Sequence, residues 1–345
     1  MTGNGLARTD DTPIDGEILP PLSADAVARL RELVAVFDTP EARTDDELAE
    51  QYRRAALSPA TRRAYRTDYR LFCAWALARG REPLPATSAT VAAFIAVEAK
   101  AGRSVSTIEG RLAAIRMAHL IQQMDPPTTS AEVILALQGI RNTHGKPPEK
   151  KAPATVDVLD QLVASCGPDL RGRRDRAVLL LGFAGAWRRA ELVAIERHHI
   201  KPAEGGITIL VPNSKTDQAG EGVTIAIPRG DRLCPVTALE EWLTAAEIIE
   251  GPIFRGLDPA GTVSPRALSG QSVALIVKRR ALAAGLDPAD LAGHSLRAGF
   301  LTAASAGGAN LFAMMDQARQ KSVQTTRGYV RRGNPFEGHA GKGLL

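Results

Sequence analysis

Late in the chain stands His294-Ser295-Leu296-Arg297, and thirty-two residues beyond that arginine comes Tyr329, inside Gln324-Thr325-Thr326-Arg327-Gly328-Tyr329. Much earlier, Ala186-Trp187-Arg188-Arg189-Ala190-Glu191-Leu192 sets arginines into an otherwise apolar run. Tyrosine is a competent covalent nucleophile, but its phenol ionises only at about pH 10 and needs help. A phosphodiester under attack gathers charge on its non-bridging oxygens. Planar guanidinium groups match those oxygens bidentately and keep their charge at any working pH. A histidine or lysine can move the protons of the entering and leaving oxygens. Two arginines, a proton-handling pair and a tyrosine are sufficient in kind for phosphodiester exchange without a metal.

The elements must bring these residues together. His294 and Arg297 lie at i, i+3, so at the start of a helix both can point to one side, where the helix end itself favours a phosphate. Gly293 is expected to free the preceding turn. Arg188 and Glu191 have the same spacing, and Glu191 can orient Arg188. Arg189 projects about 100° away on helical geometry and is set aside. Lys215, in Asn213-Ser214-Lys215-Thr216-Asp217, falls at the tip of an expected hairpin, where a lysine can reach into a groove. Taken singly, each residue also has a plain structural reading: a packing tyrosine, a core histidine, an Arg188–Glu191 pair, a solvated loop lysine. Their ordered occurrence favours the chemical one.

Around them the chain reads as mainly α and as two domains. Residues 1–22 lack apolar periodicity and form an acidic, disordered leader. A helical bundle is expected over 23–143. Its first helix covers about 24–37 with Ser23 as N-cap, and a second opens on Ser58-Pro59 and stops at Gly80. A third is capped by Ser88 and ends at Gly102, a fourth opens on a capping box Ser106-Thr107-Ile108-Glu109, and a fifth spans about 131–141. In the second helix Tyr65, Tyr69, Phe72 and Ala76 share one face and Arg62, Arg66 and Arg70 another. Residues 144–154, with Lys146-Pro147-Pro148-Glu149-Lys150-Lys151-Ala152-Pro153, make a basic, semi-extended linker. Residues 155–345 form an α+β domain: helices at about 156–166, 173–186, 236–248, 270–284, 295–306 and 308–318, and a small antiparallel sheet of Ile207–Val211 with Val223–Ile227.

Charge is uneven. Residues 1–50 carry 12 acidic and 4 basic side chains, a net of −8, whereas the whole chain is +5, so the remainder holds +13. A basic body suggests a polyanionic partner, although an arginine-rich coding bias would give the same balance. Arg62, Arg63, Arg66 and Arg70, with Arg103, Arg111 and Arg116 on neighbouring helices, are candidates for a phosphate-facing surface or simply a solvated basic face. The longest apolar stretch, Ala177 to Trp187, is too short to span a bilayer. Three cysteines (Cys73, Cys166, Cys234) without ligand spacing read as reduced thiols of a cytoplasmic protein, and no metal site, cofactor or nucleotide-binding fingerprint is indicated.

Gly185-Ala186-Trp187-Arg188-Arg189-Ala190-Glu191-Leu192, the hairpin lysine, His294–Arg297 and Lys321–Tyr329 together resemble the tyrosine recombinases, or phage-type integrases, over about residues 43–335. The Cre-like and Xer-like site-specific recombinases are members of this family. The resemblance implies a helical core-binding domain that closes with the catalytic domain around duplex DNA. It implies that Tyr329 attacks the scissile phosphate to form a 3′-phosphotyrosyl bond, that Arg188 and Arg297 clamp the phosphate, and that Lys215 protonates the leaving 5′-oxygen. His294 would assist proton transfer and Glu191 would support the first arginine. The glycine-containing tail from Asn334 to Leu345 would dock into a neighbouring protomer, giving a homotetramer on two paired recombination sites of a mobile element. One departure stands out. Members usually carry glycine and then histidine, sometimes tryptophan, nine residues before the tyrosine. Here those positions are Arg319 and Gln320, and the Gln320 amide can donate to phosphate but cannot titrate. Two alternatives follow: a catalytically weakened or silent DNA-binding relative, or a type IB topoisomerase, against which the helical first domain argues.

Overall fold

The computed structural model describes residues 22–37, 48, 52, 56–145, 151–212 and 222–329. The chain divides into two compact units, Met1–Pro148 and Glu149–Leu345. Residues 1–21 of the acidic leader, the hairpin tip with Lys215, and the tail from residue 330 lie outside the described residues.

The first unit is built from helices α1 (Ala24–Val34), α2 (Pro59–Leu77), α3 (Ser88–Lys100), α4 (Val105–Ile121) and α5 (Ala131–His144). Helix α2 packs on α4, α3 on α5, and α1 on α2. The apolar faces read from the sequence meet in one core of Phe37, Tyr69, Phe72, Trp75, Phe94, Ile108 and Ile115. Phe72 and Phe94 meet edge to face at 5.2 Å, the arrangement ring quadrupoles prefer. Ser23 and Ser58 cap α1 and α2 as expected. Two caps shift by one or two residues. Thr87 rather than Ser88 caps α3, and Ser104, not Ser106, accepts the Thr107 amide at the head of α4. Adjacent hydroxyl residues compete for such positions, and only the turn geometry decides between them.

In the second unit the central element is α7 (Leu170–Ala184), whose residues Ala177–Gly182 are all buried. Around it lie α6 (Val156–Ala164), the one-turn helix α8 (Arg189–Val193), α9 (Pro235–Ala245), α10 (Gly270–Ala283), α11 (Ser295–Ala306), α12 (Leu311–Ala318) and α13 (Val323–Arg327). The expected hairpin is present as β2 (Gly206–Val211) and β3 (Val223–Pro228), antiparallel, with Ile209 opposite Ile225 and Ile207 opposite Ile227. Strand β1 (Ile200–Ala203) adds a third member, pairing Ile200 with Ile209. A second ribbon, β4 (Arg255–Leu257) with β5 (Val263–Ala267), has no clear sequence signal.

Two internal ties hold this unit in shape. Asp175 on α7 is fully buried and accepts from Arg174 (2.8 Å), Arg279 (2.8 Å) and Arg280 (2.9 Å), fastening α7 to α10. Residues 151–154, assigned to the linker, instead belong here. Ala152 donates to Asp290 O and Ala154 to Ser295 O, both at 2.9 Å, laying this segment along the head of α11. Gly299 makes the approach possible, because a Cβ there would stand 1.8 Å from Ala154 O. The three cysteines are free and buried; burial pushes the Cys73 thiol up to about 12 and the Cys166 thiol up to about 11. No described helix is long and apolar enough to cross a membrane.

Candidate active site

Arg188 ends the loop that follows α7. Its backbone is extended and it serves as N-cap of α8, so the i, i+3 relation to Glu191 holds as a capping box rather than as two residues of one helix. Glu191 Oε2 accepts the Arg188 amide at 3.0 Å, and Glu191 Oε1 accepts Arg188 Nη1 at 2.5 Å. Burial alone would raise the Glu191 carboxyl. Arg319 beside it, with the hydrogen bonds and charge of Arg188, holds it below the usual carboxylate range, so it stays ionised.

His294 and Arg297 come from the head of α11. His294 is the N-cap residue and Arg297, 3% exposed, donates Nη1 to Ala186 O at 2.6 Å. Burial, then the charges of Arg188 and Arg319, push Arg297 down to about 10, which leaves it cationic at neutral pH. Burial lowers His294, and the nearby guanidinium groups of Arg189, Arg297 and Arg188 lower it further. A neutral imidazole results, able to accept a proton. Gly293 serves a different purpose from the one expected of it. A Cβ there would lie 2.1 Å from Cδ of Arg189, so the glycine makes room for that side chain's stem. Arg189, set aside on helical projection, thus lies beside His294, because residue 188 is extended and the helix begins only after it.

Tyr329 directly follows the C-cap residue of α13 and is half-buried against Ala186, Leu301, Met314 and Ala318. It shares with His294, Ser295, Thr302, Gln324 and Lys151 a cleft of about 430 Å³. Its charge, when ionised, would act on Arg297. The structure therefore brings Tyr329, His294, Arg297, Arg188 and Glu191 into one neighbourhood. Lys151, read only as part of a linker, joins the cleft because residues 152–154 are pinned to α11.

The two departures from the family pattern have clear surroundings. Gln320 Oε1 accepts the Thr326 hydroxyl at 2.7 Å, which ties the turn after α12 to α13, the helix just before the tyrosine, and leaves the amide N–H groups for another acceptor. Arg319 occupies the left-handed backbone region (φ 52°) and is buried. Its guanidinium donates to Glu191 Oε2 at 3.0 Å, to Gly185 O at 3.1 Å and to Ala186 O at 3.0 Å, and stacks 4.5 Å above the Trp187 ring. Sequence reasoning recorded Arg319 as an oddity and assigned it no part. Its position next to the altered Gln320 was the one available signal.

Among the arginines proposed for a phosphate-facing surface of the first unit, Arg63, Arg66, Arg70 and Arg116 are exposed and Arg62 and Arg103 half-buried. Arg111 is a correction. It is 6% exposed and paired with the buried Glu98, with Asp68 4.0 Å away, so it faces the bundle interior. Its helical spacing gave no warning, because the acidic partner comes from α3.

The model of the Phage integrase family matches residues 154–334, and that of the Phage integrase, N-terminal SAM-like domain matches residues 49–120. The chain is 37% identical over 289 residues to an integrase/recombinase XerD homolog of Selenomonas ruminantium, covering 81% of this chain and 84% of that protein. It is 29% identical over 298 residues to a tyrosine recombinase of Synechococcus elongatus, covering 81% and 87%. In fold it is similar to the XerH site-specific recombinase bound to palindromic difH substrate in a post-cleavage complex, with a TM-score of 0.59 at 15% identity over 88% of this chain and 90% of that one. The Tn1549 transposon integrase in complex with transposon right end DNA gives a TM-score of 0.59 at 12% identity, over 90% and 98%. A family model spanning more than half of the chain and a relative 37% identical over four fifths of it lead to one conclusion: the chain belongs to the phage integrase family and is a site-specific recombinase of the tyrosine type.

Proposed function

We propose that this recombinase cuts and rejoins duplex DNA at specific sites through a 3′-phosphotyrosyl intermediate on Tyr329, with guanidinium groups rather than a metal neutralising the phosphate. The phenol oxygen attacks the scissile phosphorus as its proton leaves. The bond from phosphorus to the 5′-oxygen breaks, and that oxygen takes up a proton. Attack by a 5′-hydroxyl on the phosphotyrosine reverses the sequence and frees Tyr329. The observation that carries this reading is the shared frame of Arg188 and Arg297, one on Glu191 and the other on Ala186 O, beside a cleft lined by both Tyr329 and His294.

Arg188 and Arg297 act as the phosphate clamp, His294 assists proton transfer, and Gln320 presents its amide donors to the phosphate. Lys215 protonates the leaving oxygen from the β2–β3 hairpin. That hairpin is tied to α12 by Gln317 Nε2, which donates to Ala226 O at 3.2 Å. The exposed arginines of the first unit position the DNA backbone, which fixes register without reading sequence. We propose a tetramer on two paired sites. An apolar groove of about 540 Å³ between Leu159, Leu180, Phe183, Leu233, Phe300 and Met314 is the seat for residues 334–345 of a second copy, which offer Phe336, Leu344 and Leu345.

The test uses the full chain in excess EDTA with a nicked duplex carrying the site, taken from genomic fragments that the protein selects by binding. A covalent protein–DNA adduct is expected with the unaltered protein. None is expected with Tyr329→Phe, which should bind the duplex with unchanged affinity. Binding without an adduct from the unaltered protein would sink the reading in favour of a silent DNA-binding relative. Relaxation of any supercoiled plasmid by a monomer would favour a topoisomerase.

A further inference from the structure

We infer that Arg319 is a positioning residue that fixes the two phosphate-clamping arginines in place, an inference that rests on the phosphotyrosine reading above. A buried guanidinium is costly unless every donor is engaged and its charge is balanced. Arg319 meets both conditions. Nε and Nη2 donate to Glu191 Oε2 at 3.2 and 3.0 Å, and Nη1 donates to Gln317 O at 2.7 Å and Gly185 O at 3.1 Å. Nη2 also reaches Ala186 O at 3.0 Å. Its main chain is committed as well, since Arg188 Nη2 donates to Arg319 O at 3.0 Å. The left-handed backbone (φ 52°) adds a steric cost for a residue with a Cβ, which the side-chain contacts must outweigh.

Those partners form a pattern. Glu191 is the carboxylate that orients Arg188, and Ala186 O is the carbonyl that holds Arg297. Arg319 therefore touches the support of each clamping arginine and, through its own carbonyl, one of the arginines itself. Its stacking on Trp187 fixes the residue immediately before Arg188. Misplacement of a catalytic group by about 1 Å can cost about 100-fold in rate, so the element that sets the spacing of two guanidinium groups bears directly on turnover. Glycine, the residue usual here in the family pattern, can hold the backbone turn but supplies none of these side-chain bonds. In this chain that task falls to Arg319.

The distinguishing readout is the charge of the scissile phosphate. Adduct formation by the full chain is measured on two nicked duplexes, one with an ordinary scissile phosphate and one with an uncharged methylphosphonate there. On the ordinary duplex, Arg319→Gly should slow adduct formation by about 10- to 100-fold with DNA affinity unchanged. Arg319→Lys, which keeps a cation beside Glu191 should Arg319→Gly fail to fold, should show a smaller deficit. On the methylphosphonate, where the clamp has less charge to neutralise, the deficit of either variant should shrink to about threefold or less. An equal deficit on both duplexes would mean that Arg319 is only a core-packing residue, and an unchanged rate on the ordinary duplex would likewise overturn the inference. If the unaltered protein forms no adduct on the site it binds, the phosphotyrosine reading itself falls and this inference falls with it.

Discussion

Burial lowers the proton affinity of His119, His199 and His294. His119 shows why. Its Nε2 accepts the Ala86 amide at 3.0 Å, so its Nδ1–H donates to Ile115 O at 2.8 Å, and the neutral tautomer has no acceptor site left for a second proton. In the unfolded chain each imidazole titrates at about 6.5. The folded pKa is the lower one, so these residues contribute stability that is present above about pH 6.5 and is lost as pH falls through the folded value. Thermal melts of the DNA-free protein from about pH 7.5 down to 5.5 should show Tm falling with pH; a flat or rising profile would contradict this assignment. At this scale the sequence was informative for the reactive side chains and uninformative for their supports. Tyr329, Arg297 and His294 stand in short blocks, whereas the bonds of Arg319 and Glu191 link positions 128 residues apart. Arg111 failed for the same reason: its spacing is that of a surface residue, and only the packing of α3 places Glu98 beside it.

Among the elements, α11 carries the greatest burden, because His294 begins it, Arg297 lies in its first turn, and the segment 152–154 crosses it at Gly299. Gly299→Ala would drive a methyl into Ala154 O. A backbone shift is the only relief, so the change should destabilise the protein by about 1–3 kcal/mol, several degrees in Tm, and slow adduct formation by displacing the head of α11. Unaltered melting and cleavage would show that the contact is soft. The long helices and the β2–β3 hairpin were legible because their apolar periods of 3.6 and 2 run over enough residues to stand out. Strand β4 and helices α8 and α13 are three to five residues long, below any period, and exist because of what they pack against. Helix α8 mattered most: taking Arg188 as helical rather than as an extended N-cap sent Arg189 to the wrong side.

For the whole molecule, the excess of positive charge lies outside the first 50 residues, and exposed arginines of α2 and α4 contribute to it. Affinity for DNA should therefore be strongly salt-dependent, as counterions are released from the duplex. Assembly is a separate matter. The groove beside α7, α11 and α12 is apolar and contains none of the proposed catalytic side chains. Deleting residues 334–345 should abolish the proposed four-protomer complex on paired sites while leaving binding to a single site intact, as read by light scattering and gel shift. A truncated chain that still forms tetramers would remove the tail from the assembly. The division into two units and the fold class were readable from helix periods and the proline-rich break. The location of the groove was not, since its walls come from α6, α7, β3, α9, α11 and α12, brought together only by folding.

The stack of Arg319 on Trp187 and its pairing with Glu191 also constrain which substitutions the site can accept. An arginine at 319 without the aromatic partner and the acid would be a buried charge with no counter-ion and no ring to stack on. Glycine at 319 would leave Glu191 Oε2 with the Arg188 amide as its donor and without the guanidinium that now shares it. These three positions are therefore expected to change in a fixed order or together, so a lineage that has taken this arrangement cannot readily leave it by single steps.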